Sequence, residues 1–111
     1  MPKLAAFLAL LFAASPHATA TVAGRVVTVR ATGFSVASSC PKTLRIFWAK
    51  PGSQVHHSVA SPVVQRPAGS FVFRWRAPAS LHGHLQLIVI QNCPQATVNK
   101  ADAVFLAVTV P

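Results

Sequence analysis

The chain has 111 residues, 52% of them hydrophobic, and sets ten Lys and Arg against a single acid, Asp102, for a formal charge of +9. With one Asp and no Glu, paired-carboxylate catalysis such as glycoside hydrolysis or an aspartic dyad has no residues to work with inside one chain. A carboxylate-lined Ca²⁺ or Mg²⁺ site lacks its ligands for the same reason, and the length suits one domain.

In chain order, Met1-Pro2-Lys3 carries one positive charge and the apolar run Leu4 to Ala14 follows it. Ser15-Pro16-His17 then leads to Ala18-Thr19-Ala20, a small-x-small end. This pattern predicts a secretory signal peptide over residues 1–20, cut after Ala20, with the mature domain over residues 21–111. A cut after Pro16 would leave His17 as an N-terminal copper clasp, but proline makes a poor cleavage signal. The apolar run is shorter than the ~20 residues a membrane span needs, so no span is expected after cleavage. The expected location is secreted or periplasmic.

The mature chain reads as short strands separated by turn residues. Val27, Val29 and Ala31 alternate with Thr28 and Arg30, as a half-buried strand does. Leu44, Ile46 and Trp48 point one way, with Arg45 and Phe47 the other. A weaker strand is expected around Val55 to Val59. Phe71, Phe73 and Trp75 alternate with Val72, Arg74 and Arg76, the clearest period of two in the chain. Leu85 to Ile90 is nearly continuous, as a central strand buried on both faces would be. Val104, Leu106, Val108 and Val110 form the last strand. The separators are Thr32-Gly33, Lys50-Pro51-Gly52-Ser53, Pro67-Ala68-Gly69, Pro78, His82-Gly83 and Cys93-Pro94, with Asp102 placed in a turn before the last strand. Six or seven strands at this spacing predict an all-β antiparallel β-sandwich of two sheets with Greek-key connections.

A small domain is marginal on burial alone, and the two cysteines, Cys40 and Cys93, are expected to form one disulfide in an oxidising compartment. Closing a loop of about fifty residues adds on the order of 4 kcal/mol in the chain-entropy picture. Two separate buried thiols are the other arrangement. No Cys-x-x-Cys spacing marks a redox site.

Val27-Thr28-Val29-Arg30-Ala31-Thr32-Gly33-Phe34 resembles the opening of bacterial immunoglobulin-like domains of secreted and cell-surface proteins, in which a V-x-V-x-A strand meets a G-F turn. The resemblance continues through Gly69-Ser70-Phe71, Ala77-Pro78-Ala79 and Gly83-His84-Leu85. It implies adhesion, spacing or ligand presentation, with no catalytic residue to carry over. A vertebrate-type domain fits less well, since Trp48 follows Cys40 too closely and the chain has no tyrosine for the tyrosine corner.

Two side-chain sets offer chemistry. His56, His57, His82 and His84 would bind copper or zinc if the two pairs lay on neighbouring strands. Without that adjacency they are polar edge residues. Nucleophilic catalysis has no G-x-S-x-G elbow and only Asp102 to complete a triad, so the chain is expected not to be an enzyme. Arg25, Arg30, Arg74 and Arg76 would form a basic stripe if their strands are neighbours. Such a stripe suits an anionic cell-envelope or extracellular polymer. Another envelope protein is an alternative partner, and high charge also keeps an apolar domain in solution. Sequence-specific nucleic-acid binding is not implied, because no recognition motif is present.

Overall fold

A computed structural model of the chain describes residues 16–94 and 99–111. The apolar run of the expected signal peptide lies outside the described residues. Seven strands make up the domain: β1 (His17–Ala23), β2 (Val26–Thr32), β3 (Arg45–Ala49), β4 (His57–Ala60), β5 (Phe71–Arg76), β6 (Gly83–Pro94) and β7 (Asn99–Val110). They form two antiparallel sheets, one ordered β1-β2-β5 and the other β4-β3-β6-β7. Hairpins join β1 to β2, β3 to β4 and β6 to β7, while β2 to β3, β4 to β5 and β5 to β6 cross between the sheets. The protein is therefore an all-β antiparallel sandwich, with no helix among the described residues.

The core forms where the period-two alternation of each strand turns its apolar set inward. Val27, Val29 and Ala31 of β2 pair across with Trp75, Phe73 and Phe71 of β5. They face Leu44 just before β3, Ile46 of β3 and Leu85, Leu87 and Val89 of β6, and Val108 and Val110 of β7 close the layer. Leu44, Ile46, Val27 and Val89 are completely buried, and burying each such side chain contributes about 1.5–3 kcal/mol. Ile88 points outward yet is also buried, because Phe47 and Phe105 flank it in the same cross-strand row. The continuous apolar run of β6 thus serves a strand that is buried on its inner face and covered on its outer face only at Ile88, with Gln86 and Ile90 half-buried there.

Glycine is required at particular turns. Gly24, at φ +58°, takes the first central position of the two-residue β1–β2 turn, as a II′ hairpin needs. Gly69, at φ +63°, lies against the Phe34 backbone so closely that a Cβ would sit 1.8 Å from the Phe34 carbonyl oxygen. That approach is fixed by Gly33 N–H donating to Ala68 O at 2.9 Å and Phe34 N–H donating to Gly69 O at 3.1 Å.

Cys40 and Cys93 are bonded across a sequence separation of 53. The bridge ties the β2–β3 loop to the far end of β6, and leaves no free cysteine among the described residues. It fits a non-cytoplasmic, oxidising compartment.

Three expectations change. Cys93-Pro94 is not a separator, because the ladder continues through Cys93↔Lys100 and Pro94↔Asn99. Pro94 is tolerated there because it ends its strand and owes little to the ladder. Asp102 consequently sits inside β7, opposite Gln91, and not in a turn. The weak strand expected at Val55 to Val59 is displaced to His57–Ala60, where a register shift against β3 falls between Ile46 and Phe47. A further strand, β1, precedes the first one read from the alternation, and four of its residues fall within the expected signal peptide.

Candidate anion-binding face

The outer face of the β1-β2-β5 sheet follows directly from its register. Because Val27, Val29 and Ala31 point inward, Val26, Thr28, Arg30 and Thr32 point outward, and their partners do the same. Three cross-strand rows result: Thr19–Arg30–Val72, Thr21–Thr28–Arg74 and Ala23–Val26–Arg76. Arg74 and Arg76 are two residues apart on β5, a separation of roughly 7 Å along a strand. Arg30 is the diagonal neighbour of Arg74, again at about 7–8 Å. All three arginines are exposed.

Three positive charges thus share one face with four outward threonine hydroxyls from Thr19, Thr21, Thr28 and Thr32. The only acid of the chain, Asp102, belongs to β7 of the other sheet. These arginines consequently have no carboxylate on their own face to pair with, and their mutual repulsion makes a bound anion favourable. The stripe expected from the sequence required β2 and β5 to be neighbours, and they are.

Arg25 stands apart from this group. It occupies the β1–β2 turn, and its guanidinium donates to Pro111 O at 2.7 Å, to Leu81 O at 2.7 Å and to Pro78 O. Its own carbonyl accepts from the Ala77 N–H at 2.8 Å. These bonds clamp the turn to the β5–β6 connection and the last residue. Both Nη groups of Arg25 are engaged by backbone carbonyls, which leaves Arg30, Arg74 and Arg76 as the exposed arginines that share this face. Sequence alone could not separate these roles, since all four arginines flank apolar strands.

The four histidines are placed separately. His57 stacks on Trp48 with ring centroids 4.1 Å apart, and His56 lies 6.2 Å from the Phe47 ring. His82 Nδ1 is 2.9 Å from Pro111 O, and His84 Nδ1 is 3.0 Å from Thr109 Oγ1. Strand β3 lies between β4 and β6, which keeps the two pairs roughly 10 Å apart across the sheet, two strand spacings. The adjacency on which a copper or zinc site would depend is not formed, and no three His, Cys, Asp or Glu side chains come together among the described residues.

Two other surface features flank the sandwich. At one end, an open groove of about 900 Å³ runs between residues 32–38 and Arg66–Ala68, with Arg66 Nη2 donating to Val36 O at 2.8 Å. On the outer face of the four-stranded sheet, Phe47, Ile88 and Phe105 form an apolar row, with the Arg45 guanidinium 5.1 Å from the centre of the Phe47 ring.

One residue that sequence reasoning passed over organises the loop under the groove. Gln91 is fully buried, accepts from the Ser35 N–H and donates to the Ser35 and Pro41 carbonyls. A glutamine in an otherwise apolar inward-facing series (Leu85, Leu87, Val89) is the signal that could have marked it.

No protein-family model, curated protein or solved structure matches the chain. No helix among the described residues is long and apolar enough to cross a membrane.

Proposed function

We propose that the protein is an exported binding module without catalytic activity, related in kind to bacterial immunoglobulin-like domains, that holds anionic polymers of the cell envelope or its surroundings. The observation that carries this reading is the outer face of the β1-β2-β5 sheet, where Arg30, Arg74 and Arg76 are exposed side by side with no acid among them. A flat sheet face with charges about 7 Å apart suits a chain of repeating anionic groups better than a single small ion. The flanking threonines add hydroxyl donors and acceptors for sugar or phosphate oxygens. The strongly basic charge of the chain, +9 before Lys3 leaves with the leader, strengthens attraction at a distance, and the disulfide suits an extracytoplasmic site.

The test is retention on immobilised dextran sulfate, eluted with salt. Binding through the face predicts that Arg30→Ala, Arg74→Ala and Arg76→Ala together lower the eluting salt and flatten the dependence of affinity on salt. Each lost contact changes that logarithmic slope by up to about one unit. Lys42→Ala with Lys50→Ala, which lie off this face, serve as the control for charge alone. Equal losses per charge removed in the two sets would sink the proposal in favour of undirected attraction.

A further inference from the structure

We infer that the leader is removed upstream of His17, so that the exported protein keeps His17–Ala20 as the first half of β1. This rests on the reading of the protein as exported, and it departs from the cut after Ala20 that Ala18-Thr19-Ala20 suggests.

The residues that a cut after Ala20 would discard are integrated into the sandwich. His17 pairs with Thr32, Ala18 with Ala31, Thr19 with Arg30 and Ala20 with Val29, in unbroken register with the three pairs that follow. Ala18 is only 7% exposed and belongs to the core, and Ala20 packs against it. Losing them would leave three of the seven residues of β1. It would uncover the core beside Val29 and Ala31, which are 1% and 4% exposed. The backbone of β2 from Val29 to Thr32 would become an open edge with unpaired N–H and C=O groups, the type of edge that recruits other chains.

The ambiguity has a simple origin. A signal-peptide end wants small residues at alternate positions, and so does a strand whose inner face meets a tightly packed core. Ala18-Thr19-Ala20 satisfies both, with the alanines inward and His17, Thr19 and Thr21 outward. A second small-x-small set stands just upstream at Ala13-Ala14-Ser15, at the end of the apolar run. A cut at this set, upstream of Pro16, leaves β1 whole.

The experiment is intact-mass measurement and N-terminal sequencing of protein exported from a bacterial host carrying the full 111-residue chain. The expected start lies at or before His17, with Met1 through at least Ala13 removed. A start at Thr19 or Thr21 overturns the inference. A mass that retains Met1 overturns the export reading beneath it, and the two failures are told apart by that residue. A second chain with Ser15→Phe, which spoils the upstream small-x-small set, is expected to accumulate as precursor. Normal release of a Thr21 start from this variant would again overturn the inference.

Discussion

The side-chain amide of Gln91 and the backbone of Ser35 exchange two hydrogen bonds, each 2.8 Å long, across a sequence separation of 56. The amide nitrogen also donates to Pro41 O at 3.1 Å, so one β6 side chain holds both ends of the segment that leads to Cys40. A buried amide satisfied in this way contributes modestly when intact and costs much more when half removed, because its partners are left without water or protein to bond.

Gln91→Leu is therefore expected to destabilise the domain by about 2–4 kcal/mol, since Ser35 N–H and two carbonyls lose their partner. Gln91→Glu tests the direction of the bonds. Its carboxylate keeps the acceptor for Ser35 N–H but faces two carbonyls with no donor. Burial against carbonyls raises the folded-state pKa of the introduced acid, so relative to the native chain this variant loses stability as pH rises. Chemical denaturation at pH 4.5 and 7.5 reads both effects, and a glutamate variant equally stable at the two would contradict the bonding pattern.

Gly69→Ala is expected to cost more than Gly24→Ala, although both glycines have positive φ. Gly24 has nothing within 4 Å of an added Cβ, so only the backbone conformation is penalised, by about 1 kcal/mol. At Gly69 the added carbon meets the Phe34 backbone, which must move and break the paired turn. A loss of several kcal/mol, or failure to fold, is the expected result by thermal denaturation. Equal losses at the two positions would rule out the close approach of Gly69 to Phe34.

Removing the bridge by Cys40→Ser with Cys93→Ser is expected to lower stability by about 4 kcal/mol, from the entropy of a loop of this length. For a domain of this size such a loss is a large share of the total. Denaturant titration with and without reductant measures it, and the double variant should no longer respond to reductant.

Arg25→Ala is expected to destabilise by about 1–3 kcal/mol while leaving retention on dextran sulfate nearly unchanged, because its donors hold Leu81, Pro78 and Pro111 carbonyls. The triple substitution at Arg30, Arg74 and Arg76 should do the reverse, with a stability change within about 0.5 kcal/mol, as for surface sites in general. Paired melting and salt-elution experiments separate the two, and a strong retention loss in Arg25→Ala would return that residue to the binding face.

Strand identity and facing were readable from the sequence wherever alternation was strict. Phe71, Phe73 and Trp75 against Val72, Arg74 and Arg76 gave both β5 and its outward charge, and Leu85 to Ile90 gave the central strand β6. Turn residues with restricted backbones marked most of the boundaries, and two cysteines in one small domain pointed to their bridge. These features are local: a period of two, a required φ and a count of thiols each follow from neighbouring residues.

Adjacency in space was not local, and it decided the sites. Only the strand order puts β5 beside β2, which turns scattered arginines into a face, and only β3 lying between β4 and β6 keeps the histidine pairs apart. The bonding of Arg25 to carbonyls up to 86 residues away has no trace in its flanking sequence. Ala18-Thr19-Ala20 carries the same alternation whether a peptidase or a sheet receives it. Its pairing with Val29 to Ala31 is visible only in the tertiary structure, because a strand is defined by the partner whose hydrogen bonds it completes.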